Sequence, residues 1–92
     1  MIKKELEVKN QMGLHARPAA MLAQTAGKFR ASVKIEKDRV SVDAKSIMGI
    51  MMLAAPCGAV LRFTFDGADE ADALKAVEHL FDTAFSEAYG HN

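Results

Sequence analysis

The spacing of apolar residues alternates along this chain between a period of two and a period of about 3.6, and no other feature restricts its fold as much. Ile2, Leu6 and Val8, with charged residues between them, read as a first strand, although Lys3 and Lys4 blur the period. After a turn at Asn10 to Gly13, the residues Ala19, Ala20, Leu22, Ala23 and Ala26 recur at helical spacing and predict a helix closing at Gly27. Ser32 to Glu36 alternates around Val33 and Ile35. Lys37-Asp38-Arg39 then turns the chain into Val40 and Val42, which predicts a hairpin. Ile47 to Leu53 reads as a helical segment too short to hold by itself, ending before Pro56 and Gly58. Val60, Leu61, Phe63 and Phe65 resume strand composition until Asp66-Gly67. Asp69 or a neighbour caps a last helix with Leu74, Val77, Leu80, Phe81, Ala84 and Phe85 on one face. Strand, helix, strand, strand, helix, strand, helix is an α+β order that fits one sheet with helices layered on one face. The 92 residues are expected to form a single domain, 1–92.

Charge removes several classes of function. Twelve Lys/Arg and twelve Asp/Glu cancel, so the global field that draws a protein to nucleic acid or anionic membrane is missing. The distribution is uneven: residues 1–65 hold eleven basic against five acidic side chains, residues 66–92 one against seven. This reads equally as a surface that steers an acidic partner to dock near residue 15 and as ordinary solvated charge. An RNA-binding α+β domain is disfavoured by the charge balance and by the lack of an aromatic pair on an evident strand face. The longest apolar stretch, Met48 to Ala55, is far short of the roughly 20 residues of a membrane span, and the opening MIKKELEVKN does not read as a secretion signal. A cytoplasmic monomer without membrane insertion is the expectation. Cys57 has no internal disulfide partner and stands in the turn composition Ala-Pro-Cys-Gly, which reads as an inert or half-exposed thiol. His79 on a charged helix face and His91 in the tail receive no role, and no metal-ligand spacing or cofactor motif occurs. Without a nucleophile triad, nucleotide loop or paired carboxylates, a self-contained enzyme is not expected.

Two positions do carry chemistry. Pro18 is tolerated only in a first helical turn, so the helix starts within a residue or two of His15 and places that side chain at its N-terminus. Unpaired amides and the positive end of the helix dipole make such a place favourable for an anion, and Arg17 adds a guanidinium suited to phosphoryl oxygens. Neutral imidazole can attack phosphorus. A capping or merely exposed histidine is the plainer alternative. Ser46 precedes the short helical segment and can cap it. A phosphoryl group on it would bring up to about two negative charges beside Ile47, Met48 and Met51. Those methionines read equally as a docking patch or as core filling.

Gly13-Leu14-His15-Ala16-Arg17-Pro18-Ala19-Ala20, followed by Lys45-Ser46-Ile47-Met48-Gly49-Ile50-Met51, resembles the histidine-containing phosphocarrier family, HPr, of the bacterial phosphotransferase system. The resemblance extends to the Gly58 turn and to Asp66-Gly67-Ala68-Asp69-Glu70 ahead of the last helix. It departs at Gln24 and Gly27, where many members carry lysine. It implies an open-faced β-sandwich, four antiparallel strands covered on one face by three helices. It implies His15 as acceptor of a phosphoryl group from enzyme I and donor to enzyme IIA domains, with Arg17 contacting the phosphoryl. It further implies Ser46 as target of HPr kinase/phosphorylase, a transcriptional regulator as partner of the Ser46-phosphorylated form, and docking through Ala16, Ala20, Ile47, Met48 and Met51. An alternative under the same resemblance is a mainly regulatory module controlled through Ser46.

Overall fold

The structure, a computed structural model, describes residues 1–85; His91 and the rest of 86–92 lie outside the described residues. The order is β1 (Ile2–Glu7), α1 (Ala16–Gly27), β2 (Ser32–Lys37), β3 (Val40–Asp43), α2 (Ile47–Met52), β4 (Val60–Asp66) and α3 (Glu70–Asp82). The strands form one antiparallel sheet in the order β1-β4-β2-β3, so the last strand is inserted between the first two. Leu6, Val33, Ile35, Leu61, Phe63 and Phe65 point to one face and are buried. There they meet Leu22 and Ala26 of α1, Ile50 of α2, and Val77 and Phe81 of α3. The other face is left open and is polar or charged apart from the exposed Val60. Glu5, Arg62 and Glu36 lie abreast on three neighbouring strands, with Arg62 3.9 Å and 3.6 Å from the two carboxylates.

Several sequence expectations are refined by this packing. Lys4 breaks the period of β1 because it faces the helix side opposite Phe63, at the sheet edge, where its Nζ reaches Glu78 of α3 at 3.4 Å. An aromatic pair does sit on one strand face: Phe63 and Phe65 stack with centroids 5.8 Å apart, but they are turned into the core, where no base can reach them. The hairpin loop is the two residues Asp38 and Arg39, both at positive φ, the geometry that matches strand twist. The helix closing at Gly27 uses no left-handed glycine; Lys28 remains helical and its amide bonds back to Thr25 O at 3.2 Å. Likewise α3 stops at Asp82, short of Ala84 and Phe85, which both adopt positive φ. Thr83 Oγ1 donates to the carbonyls of His79 and Leu80, and the reversal tucks Phe85 against Phe81. Leu74 is half-buried, at the margin of the helix's apolar face.

Asp69 holds the N-cap position of α3 but does not cap it with its side chain. Its two carboxylate oxygens instead accept from Arg30 N (2.9 Å) and Ala31 N (2.8 Å), tying the start of α3 to the entry of β2. Those amide bonds, Arg30 first and Ala31 second, hold the carboxyl below its usual range. Glu70 is lowered too, chiefly by the Gly67 amide. A carboxyl depressed in the folded state contributes stability fully above its unfolded value, and that contribution is lost as the pH falls through the folded value. Asp69→Asn keeps one acceptor and turns an NH2 toward an amide donor. It should lower the urea midpoint at neutral pH and flatten the loss of stability below about pH 4, measured by urea unfolding across an acid series.

Candidate functional site

His15 is the N-cap of α1, with extended backbone (φ −82, ψ −166) and no side-chain cap to the helix. Two anchors fix it. On its N-terminal side, Gly13 N donates to Asn10 O (3.1 Å), Asn10 Nδ2 returns a bond to Gly13 O, and Leu14 N donates to Ala55 O (2.9 Å) while its side chain enters the core. On the other, His15 O accepts from Ala19 N at 2.9 Å, the first bond of the helical ladder. Ala16, Arg17 and Pro18 make the first turn. Their main chain lies ahead of the ladder, and the proline gives up an amide that a helix start does not use. The ring of His15 is half-buried, with Ala16 and Arg17 exposed beside it in sequence and Ala20 half-buried one turn on.

Gly13 lets the loop come this close. Its φ is +72, and a Cβ there would stand 2.5 Å from Ala55 O and 3.0 Å from Pro56 Cα, both main-chain atoms. The histidine loop therefore rests on the segment that leaves α2.

Ser46 caps α2 as expected. Its Oγ accepts from Gly49 N at 3.0 Å, and Ile50 N bonds to Ser46 O at 3.0 Å. α2 packs against both α1 and β3. The close approach to β3 depends on Gly49, whose missing Cβ would lie 3.3 Å from Val42 Cβ. Only Ile50 of α2 is buried. Ile47 (42%), Met48 (76%) and Met51 (44%) are exposed, so the methionines are a surface rather than core filling. Met52 (73%), the last residue of α2, and Met12 (76%), in the loop beside Gly13, are exposed too and carry no sequence signal of their own, since a lone methionine in a turn or at a helix end looks like any other. Ser46→Ala removes the cap and should cost about 1 kcal/mol in urea unfolding.

The remaining candidates stay apart from this site. Cys57 is exposed in the turn before β4, its Sγ 3.7 Å from Lys9 O. His79 lies exposed in the last turn of α3. Among the described residues no group of His, Cys, Asp or Glu is arranged to hold a metal, and no helix is long and apolar enough to cross a membrane.

Comparison with known proteins gives one answer. A family model described as "PTS HPr component phosphorylation site" matches residues 2–83. The phosphocarrier protein HPr of Treponema pallidum is 45% identical over 87 residues, covering 95% of this chain and 99% of its own. The crystal structure of HPr from Thermoanaerobacter tengcongensis superposes with a TM-score of 0.90 at 46% identity, over 94% of this chain and 97% of that one. Crh of Bacillus subtilis, described as the catabolite repression HPr, superposes at 0.62 with 40% identity, over 87% and 95%. With the open-faced sandwich, the histidine at the N-cap position of α1 and these matches together, the chain belongs to the HPr family of phosphotransferase-system phosphocarriers.

Proposed function

We propose that His15 accepts a phosphoryl group from enzyme I and passes it to enzyme IIA, the protein itself serving as a stoichiometric carrier. The observation that carries this reading is the placement of His15 as N-cap of α1, held through its main chain on both sides. A ring nitrogen of neutral imidazole attacks phosphorus in line; the new P–N bond forms as the bond to the donor breaks. The first-turn amides and the Arg17 guanidinium take up charge on the phosphoryl oxygens. Such a shallow arrangement stabilises the phosphohistidine without burying it, so the same phosphorus stays open to a second partner, whose own site supplies the rest of the catalysis.

Ser46 is the regulatory position in this reading, modified by HPr kinase/phosphorylase. The phosphate would add up to about two charges on the half-buried cap of α2, next to Ile47, Met48 and Met51. With Ala16 and Ala20 these residues would make the face that partners dock on, and a transcriptional regulator would be a partner of the Ser46-phosphorylated form. A mainly regulatory role is the second reading, favoured by the likeness to Crh; the histidine at position 15 counts against it as the whole function.

Incubation with phosphoenolpyruvate and enzyme I should give an acid-labile, hydroxylamine-sensitive phosphate that maps to His15; its absence refutes the carrier reading. With HPr kinase and ATP, label should appear on the wild-type protein and not on Ser46→Ala. Equal labelling of the two would remove the serine from the scheme.

A further inference from the structure

α2 turns a single residue, Ile50, into the core and leaves Met48, Met51 and Met52 at i, i+3 and i+4 on its exposed side. Met12 is added by the loop that Gly13 presses onto Ala55 and Pro56, just beyond α2. These four thioethers are exposed by 44–76%; Met1, exposed by 69%, precedes β1 with its amino group on Glu70 of α3, and Met21 on α1 is half-buried against the core. Methionine reacts with peroxide according to access, and its sulfoxide is polar and chiral where the thioether was apolar and adaptable. None of the four holds the core, so oxidising them changes the chemistry of a surface without removing packing.

We infer that Met12, Met48, Met51 and Met52 form a peroxide-sensitive modification site that reversibly weakens partner docking beside His15. The inference rests on the docking face proposed above. A sulfur lone pair attacks one oxygen of hydrogen peroxide, the S–O bond forms as the O–O bond breaks, and the second oxygen leaves as water. Sulfur is oxidised by two electrons and peroxide is reduced. A dithiol reductase reverses the step, releasing the oxygen as water and ending as a disulfide. Each sulfoxide oxygen must be dehydrated to enter an apolar contact, whereas the phosphoryl chemistry at the ring is untouched.

The test uses the full chain carrying Cys57→Ser, so that the exposed thiol does not react. After treatment with hydrogen peroxide, peptide mass mapping should show sulfoxide at the four positions before Met21. In phosphoryl transfer from enzyme I, KM for the carrier should rise about tenfold or more. The saturating rate and the urea midpoint should be kept, and methionine sulfoxide reductase with a thiol reductant should restore KM. In a protein with leucine at all four positions, peroxide should produce no further rise from whatever KM that protein starts with. An unchanged KM with the sulfoxides present overturns the inference, as does an equal peroxide-induced rise in the leucine protein. Unoxidised Met48→Glu separates the two levels: if its KM is unchanged, the docking face itself is wrong; if it rises and sulfoxidation has no effect, only the oxidation site is wrong.

Discussion

A His15→Asn protein is expected to take up no phosphoryl group from enzyme I while remaining folded. The two halves of that result have different causes. Asparagine has no nucleophilic nitrogen, because its amide lone pair is delocalised, so transfer should fall to background. Asparagine is also among the best helix N-caps: its side-chain oxygen can accept from a first-turn amide, a bond that the His15 ring does not make as a cap. With the backbone already extended at this position, the new cap should contribute up to about 1 kcal/mol toward the stability of the variant. Urea unfolding and enzyme I-dependent labelling on the same preparation check both parts. Retained labelling would mean that His15 is not the acceptor, and a large loss of stability would mean that its ring is structural.

Gly13→Ala should unfold with a free energy about 2–4 kcal/mol lower than the parent, the left-handed φ and the overlap with main chain each contributing. The cost is high because neither obstacle is a movable side chain: the new methyl meets Ala55 O and Pro56 Cα. Relief requires the loop to lift, which breaks the Leu14 N to Ala55 O bond and moves the residue before His15. Phosphoryl uptake should therefore fall even under conditions where the variant remains folded. Urea midpoints with uptake rates measured well below the transition give the answer, and a Gly13→Ala protein of unchanged midpoint would refute the role given to the close approach.

The elements were legible in the sequence wherever local chemistry decides them. Period two around Val33 and Ile35, the helical run from Ala19 to Ala26, Ser46 ahead of Ile47 and Pro18 at a helix start each depend on neighbours a few residues away. They reappear in β2, α1, the α2 cap and the first turn of α1. The details that local spacing does not specify depend on distant contacts. Lys4 looks like a fault in β1 until Glu78 of α3 is beside it. Asp69 looks like a cap until the amides of Arg30 and Ala31, nearly forty residues earlier, claim both of its oxygens. Phe85 belongs to the helical pattern of α3 by spacing, yet it reaches the core through a chain reversal.

The candidate site divides along the same line. By itself the sequence determined that a histidine begins a helix with an arginine two residues on, and that a serine caps a second helix, because capping and proline geometry act within one turn. Only the tertiary structure decided that the histidine loop rests on the exit of α2 and that the methionines of α2 are surface. Periodicity specifies which residues of a helix share a face, but the packing partners decide which face is covered, and a six-residue helix with one buried residue leaves that choice to the rest of the fold.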